Sequence, residues 1–248
     1  MSVEFDPDTG RAVLDRVTFD ALLALAAGSN PPASGVEKAQ VAGLLRGSSI
    51  HPAIQPAIAA AADPVAIARL EMHNEQGETF VAECWISTEV ATYLVDQGTR
   101  ELEVVTTTPG FFPESIARLV GLSPRPRTAF HPWRMPVELV DDMFAADLDR
   151  RRTATTTIAN QANDDEVTAY TDVLATGPWW YWNLDVQWPG TADNDGARSL
   201  HVVDTQRGMA ILSLSDDLIA VDPTHPRQVF LLLTAILPRD EELAFRPA

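Results

Sequence analysis

The residues of this sequence that could do covalent chemistry are few and lie far apart. Its one cysteine, Cys84, lies in an alternating apolar run typical of a strand, where a buried structural thiol is favoured over a reactive one. The sequence has no G-x-S-x-G turn for a serine nucleophile. It also has neither of the common phosphate-binding patterns, G-x-x-x-x-G-K-[ST] and G-x-G-x-x-G. We therefore predict no catalytic residue, no nucleotide and no other cofactor.

Metal ligation is not indicated either. The histidines are scattered and show no H-E-x-x-H or other paired spacing. Adjacent carboxylates occur in pairs, but such pairs on loops are usually solvated charge. The groups concerned are His51, His73, His131, His201 and His225, and the pairs Asp141-Asp142, Asp164-Asp165 and Asp216-Asp217. We predict no metal site.

The aromatic run 179–182 is the most unusual local feature. Trp180 and Trp182 share one face of a period-two pattern with Trp188, which predicts a strand with that face in the core. Trp179 and Tyr181 then lie on the other face. If that face is exposed, it suits a protein partner, because exposed Trp and Tyr often dominate binding energy.

Composition excludes several classes of protein. With 248 residues, 46% of them hydrophobic, the chain is long enough for one large core or two small fused ones. A formal net charge of −17 opposes binding to nucleic acid or to an anionic membrane. The apolar runs are far shorter than the roughly 20 residues of a membrane span, and the acidic N-terminus does not look like a secretory signal. We expect a cytoplasmic protein.

Hydrophobic periodicity predicts helices followed by strands, and this order occurs once in each half of the sequence. The first third predicts helices that start at a Thr18 cap, at a Ser34–Glu37 capping box with its end at Gly47, and near Pro52. Period-two segments then predict a hairpin through residues 68–86, two more strands and a helix from Pro113. The second half predicts a helix over 137–148 that ends in the basic residues 150–152, a loop or frayed helix over 153–164, four strands from Trp179 and a helix from Pro226.

The predicted elements occur in the same order in the first and second halves of the sequence, which indicates an internal repeat. Residues 88–95 align without a gap with residues 205–212, and residues 102–105 align with 218–221. We therefore predict an α+β fold of two similar halves, each an antiparallel sheet plus helices, related by a pseudo-twofold. The predicted division is an N-terminal half over 1–122, a proline-rich linker over 123–136 and a C-terminal half over 137–248, in one compact unit. Chance similarity of short strand segments is the alternative.

The order of these elements resembles the EspG family of chaperones of actinobacterial type VII secretion. The resemblance runs from about residue 14 to residue 238, and short segments carry it. They are Leu-Leu-Arg-Gly at 44–47, His-Pro-Ala-Ile-Gln-Pro-Ala-Ile at 51–58, Ala-Asp-Pro at 62–64, Val-Asp-Thr-Gln-Arg-Gly at 203–208 and Leu-Ile-Ala-Val-Asp-Pro at 218–223. The Arg-Gly at 207–208 reverses the order of the family's D-T-x-x-G-R-type turn.

The resemblance implies a quasi-twofold α+β fold and a cytosolic, non-enzymatic chaperone. Such a chaperone would bind a helical secretion substrate, a PE–PPE heterodimer or a WXG-like protein, without a cofactor. We take the turn of Asn74, Glu75, Gln76 and Gly77, together with the Trp179 and Tyr181 face, as the candidate partner-binding residues. A homodimer, a regulatory or immunity module that binds another protein, and an unrecognised hydrolase remain the alternatives.

Overall fold

One antiparallel sheet of eleven strands organises the part of the chain that the computed structural model describes, residues 3–96, 101–128, 130–191 and 194–243. Its strands are β1 (Glu4–Phe5), β2 (Ala12–Leu14), β5 (Ala66–Asn74), β6 (Thr79–Ile86), β7 (Ala91–Asp96), β8 (Leu102–Thr107), β9 (Trp133–Pro136), β10 (Trp179–Thr191), β11 (Asn194–Thr205), β12 (Gly208–Ser215) and β13 (Leu218–Thr224). Two further strands, β3 (Leu45–Arg46) and β4 (Ser49–Ile50), form a small separate hairpin. The strand order is β1-β2-β8-β7-β6-β5-β10-β11-β12-β13-β9.

The helices are α1 (Arg16–Ala26), α2 (Ala33–Val41), α3 (Gln55–Ala62), α4 (Phe112–Leu119), α5 (Val140–Met143), α6 (Leu148–Ala162), α7 (Asp165–Thr176), α8 (Pro226–Ala235) and α9 (Asp240–Leu243). Short 3-10 turns, Pro109–Phe111 and Val137–Leu139, precede α4 and α5. The mixture of these helices with one large antiparallel sheet confirms the predicted α+β class.

The helices cover the two faces of the sheet differently. On the first face, α4 and α8 contact each other and seal a core over the middle of the sheet. On the second face, α1, α2 and α3 cover the outer strands of one side, and α5, α6 and α7 cover those of the other. The middle of the second face therefore lies between two helical layers.

Strand order is the same on both sides of the β5–β10 pair. Counted outward, one side is β5-β6-β7-β8-β2-β1 and the other is β10-β11-β12-β13-β9, so the first side has the additional edge strand β1. The aligned segments of the sequence repeat fall on β7 and β12, and on β8 and β13, which hold equivalent places in this order. The pseudo-twofold relation stays a prediction, and the division into halves at 122 and 137 stays a proposal.

The predicted helix starts and ends in the first third need correction. Asp15, not Thr18, caps α1, because the Asp15 carboxylate accepts from the Thr18 backbone N–H at 2.8 Å. No side chain caps α2, which starts after Pro32. Gly47 does not end α2: it has a positive φ of 65° and lies between β3 and β4.

Two segments predicted to be irregular are regular. The proline-rich stretch contains β9, an edge strand whose Pro136 pairs with Leu218 at the end of the ladder, where a missing N–H is tolerated. The threonine-rich segment 153–164 belongs to α6, in which the Thr155 and Thr157 hydroxyls donate to the carbonyls four residues earlier. The basic run 150–152 therefore lies near the start of α6, not at the end of a helix over 137–148.

Because Gly35 has no side chain, α1 and α2 can pack closely at this position. A Cβ at this position would lie 2.4 Å from the Val17 carbonyl oxygen and 2.6 Å from the Ala21 Cβ. We predict that Gly35→Ala lowers the free energy of unfolding by about 2 kcal/mol, because the clash outweighs the helix propensity gained by alanine. Urea unfolding measures this. Gly110→Ala, where a Cβ meets nothing within 4 Å, is the matched control and should change little; an unaltered G35A midpoint would contradict the packing.

Candidate functional site

The uncovered middle of the second sheet face forms an open trough, with its floor on β6, β5, β10 and β11. The strand register places its floor side chains in rows across these strands, and each is at least partly exposed. The floor residues are Ile67, Arg69, Glu71, Val81, Glu83, Asn183, Asp185, Gln187, Ser199 and His201. Their neighbours along each strand, such as Leu70 and Leu184, are buried on the first face. We call this surface the central trough.

A network of charged and polar side chains covers much of the floor. Arg69 donates through Nε to Glu71 Oε1 at 2.7 Å and lies 3.9 Å from Glu83. Arg16, at the start of α1, reaches Glu83 at 2.7 Å from the side wall. Since a sheet face without a helical cover meets water, these paired polar groups keep it hydrated.

Asp185 organises the other side of the floor. Its carboxylate accepts hydrogen bonds from Asn183 at 2.9 Å and from the Ser199 hydroxyl at 2.5 Å. In the next row the Tyr181 hydroxyl and His201 Nδ1 are hydrogen bonded at 2.8 Å. Each of these contacts joins β10 to itself or to β11, so the floor is held in place.

An aromatic groove of about 610 Å³ lies at one end of the trough, where α5 and the start of α6 meet the sheet. Phe144 stacks on Tyr181 with ring centroids 4.7 Å apart and planes at 29°. His73 lies 4.9 Å from the Tyr181 ring. The groove is lined by His73, Val140, Asp141, Phe144, Ala145, Ala146, Asp147, Arg150 and Tyr181. It joins an apolar floor to a charged rim.

Burial and nearby carboxylates set the ionisation of the groove. Burial, followed by the negative charges of Asp185, Glu71 and Asp141, raises the pKa of Tyr181 to about 12. Burial lowers the pKa of His73 below its ordinary value, although Glu71 opposes the shift. At neutral pH both rings are therefore mainly uncharged, in a field made negative by carboxylates.

The structure corrects the predicted exposure of the tryptophan strand. Trp179, expected on an open face, is 1% exposed and packs against Phe144 at 5.4 Å. Trp180, expected in the core, is 37% exposed, whereas Trp182 is buried as predicted. The alternation of faces holds along β10, but the covering differs from the prediction: Trp179 packs into the core under α5, α6 and α7, whereas Trp180, on the opposite face, lies outside the core under α4 and α8. Tyr181 is half-buried and lines the groove.

The predicted turn lies directly beside these aromatic residues. Asn74 is buried and pairs with Trp180 in the sheet, and its side-chain oxygen accepts from the Gln76 and Glu78 backbone N–H groups, both at 3.0 Å. Glu75 accepts from the Trp179 backbone N–H at 3.2 Å. Gln76 and Gly77 are exposed. The structure thus brings the two predicted patches together at one end of the trough, although Asn74 and Trp179 contribute from beneath the surface.

Arg151, which the sequence did not single out, fastens this corner. Its buried guanidinium donates through Nη1 to the carbonyls of Glu75 at 2.9 Å, Ala145 at 2.6 Å and Ala146 at 3.2 Å. It also lies over the Trp179 ring, 5.9 Å from the centroid. In the sequence it is one of three adjacent arginines, and only the long-range contacts distinguish it.

The other groups with chemical potential do not converge. Burial raises the pKa of the Cys84 thiol far above neutral pH, so it is not a ready nucleophile. In the part of the chain that the structure describes, no group of three or more His, Cys, Asp or Glu side chains could hold a metal ion. Over the same residues, no helix combines the length and apolar character needed to cross a bilayer. We therefore take the central trough, with its polar network and aromatic groove, as the candidate functional site.

Comparison with solved structures identifies the architecture. No protein-family model matches the chain, and no curated protein matches it in sequence. A solved structure does match: that of EspG5, the type VII secretion system chaperone of Mycobacterium tuberculosis, in complex with a PE25–PPE41 dimer. The TM-score is 0.62 at 16% identity, over 92% of this chain and 97% of the matched one. This chain has the EspG5 fold. The predicted resemblance to the EspG family is confirmed in its fold, and the central trough and aromatic groove are features of this EspG5-like sheet.

Arg151 gives a test of how the groove is held on the EspG5-like sheet. We predict that Arg151→Met, which keeps most of the apolar stem, lowers the free energy of unfolding by about 2–4 kcal/mol, because three carbonyls lose the buried charged donor that they share. Arg152→Met, its exposed neighbour, should change it by less than about 0.5 kcal/mol. Urea unfolding of both variants makes the comparison. Equal stabilities would show that the buried guanidinium does not fasten this corner.

Proposed function

We propose that this protein is a chaperone or adaptor of type VII secretion that holds a helical substrate, a PE–PPE pair or a WXG-like protein, in the central trough. The observation that carries the proposal is the fold shared with EspG5 over 92% of the chain, since EspG5 was solved in complex with a PE25–PPE41 dimer. On this proposal the protein acts by binding and needs no cofactor.

The dimensions of the trough support a helical occupant. Four adjacent strands at about 4.8 Å spacing span roughly 14 Å, and an α-helix with its side chains is about 10–12 Å wide. The walls are α1 on one side and α5 with α6 on the other. A helix tip lying between these walls would contact the sheet floor and both helical layers at once, which buries more surface than a flat sheet would.

The chemistry of the trough supports a reversible complex with the partner. Its floor is polar and internally paired, and the aromatic groove supplies a concentrated apolar anchor at one end. Interfaces with a small anchor and a polar surround are typical of complexes whose components also exist apart. A chaperone that delivers its substrate must release it, so this balance fits the proposed role.

A pair of exposed β-branched residues gives a matched test. Ile67 lies on the trough floor and is 45% exposed, whereas Val105 lies on the first face of the sheet, on β8, and is 42% exposed. We predict that Ile67→Arg reduces recovery of co-expressed PE–PPE or WXG-type proteins of the source genome at least fivefold, because a bulky cation obstructs the floor. Val105→Arg should retain wild-type recovery.

Co-purification followed by size-exclusion chromatography measures the complex and its ratio, and melting temperatures of both variants check that each is folded. Wild-type protein that recovers none of these secretion substrates under gentle conditions would refute the proposed function. Equal recovery of the substrates by I67R and V105R would show that the binding surface is not the central trough.

A further inference from the structure

The aromatic groove combines two features that suit one particular kind of side chain. Its floor includes the stacked pair Phe144 and Tyr181, of which Phe144 is 8% exposed and Tyr181 is half-buried, so the pair offers apolar ring surface along the groove. Its rim carries the exposed carboxylates of Asp141 and Asp147 within the same groove. A long apolar stem can lie on the rings while a charged end reaches the rim.

Among the described residues that line the groove, Arg150 places a cation on the rim; its pKa is raised first by Asp142 and then by the charges of Asp147 and Asp141. The Arg150 guanidinium is held by Asp142, to which its Nε donates at 2.9 Å and with which its Nη2 also makes contact. Asp147 uses one carboxylate oxygen to accept from the Arg150 backbone N–H at 2.9 Å, as the cap of α6. Burial is the main cause of the raised pKa of Tyr181, and the negative charge of Asp141 adds to it after those of Asp185 and Glu71.

The field selects against other occupants. An anionic side chain would meet Asp141, Asp147 and Glu71, and the chain as a whole carries a formal net charge of −17. A purely aliphatic side chain would gain from the rings but would leave the rim carboxylates without a counter-charge. A long cationic side chain gains from both, because its apolar stem packs against the rings and its charged end pairs with the carboxylates.

We propose that the aromatic groove receives the side chain of an arginine or lysine presented by the helical partner. This rests on the proposed function in that the occupant is helical. The side-chain stem lies on Phe144 and Tyr181, and its charged end pairs with Asp141 and Asp147. The groove thereby fixes which part of a helical partner docks at this end of the trough.

The test uses two synthetic helical peptides as probes. Each has about 18 residues, enough for partial helicity when alanine-rich, with leucines on one face, and they differ only in an arginine or a glutamine at the centre of that face. Fluorescence anisotropy with the full-length protein measures both affinities. We expect the arginine peptide to bind about fivefold to tenfold tighter than the glutamine peptide, and its advantage to fall as salt is raised.

Variants locate the effect. Asp141→Asn should reduce the preference for arginine to less than twofold, because the exposed carboxylate of the groove is neutralised without change of shape. Asp149→Asn is the matched control: it removes an exposed carboxylate from α6 that does not line the groove, and the preference should persist. Melting temperatures confirm that both variants are folded.

Three results would overturn the inference: equal affinity of the two peptides, a preference that survives Asp141→Asn unchanged, or no binding of either peptide. These outcomes are separable from failure of the proposed function. If secretion substrates co-purify and Ile67→Arg blocks them while the peptides show no preference, the chaperone role stands and only the basic anchor is wrong. If no secretion substrate is recovered, the proposed function fails whatever the peptides do.

Discussion

The pairing of β5 with β10 is the contact on which the rest of the structure depends. It runs without interruption from Ile67 opposite Gln187 to Asn74 opposite Trp180, and it joins what would otherwise be two separate sheets. On the first face it aligns Leu70 with Leu184 in a core under α4 and α8. Since a strand slip of one residue would exchange the two faces, this core fixes the register, and the register in turn fixes which side chains line the trough.

Because the joint lies in the middle of the sheet, the helices of each half cover mainly that half's outer strands on the second face. The joint is left open there, and its side chains are polar: Glu71, Asn183 and Asp185 replace the apolar residues of the covered strands. Two arginines add hydrogen bonds between elements that are distant in the sequence. Arg151 ties the Glu75 turn to α6, and Arg125 binds Asp204 of β11 through two hydrogen bonds at 2.7 and 2.9 Å. The floor of the trough is thus one continuous sheet across the β5–β10 pair.

Sequence patterns predicted the elements that one buried face defines. The hairpin of β5 and β6, with Ala68 and Leu70 inward and Arg69 outward, needed only the period of two, and α8 needed only Pro226 and its apolar stripe. Sequence patterns failed where tertiary contacts determine the burial or the secondary structure of a residue. Trp179 and Trp182 are both buried because the sheet has a core on each side there, and the polar α6 is helical because its Ala154 and Ile158 pack into one of those cores. The roles of Arg151 and Phe144 depend on residues about 30 to 80 positions away, which no local pattern reveals.

The contrast between the two faces of the joint explains how one sheet serves both stability and recognition. Over its middle, the first face is covered by apolar packing under α4 and α8, and this packing stabilises the fold. The second face exposes a floor on which several polar groups already pair with one another. A partner gains little from replacing those internal pairs, and most of its binding energy must come from the rings and carboxylates at the groove and from the helical walls. On the proposed function, specificity would concentrate at the Phe144 and Tyr181 end of the trough, where Arg151 and the β5–β10 register position the rings.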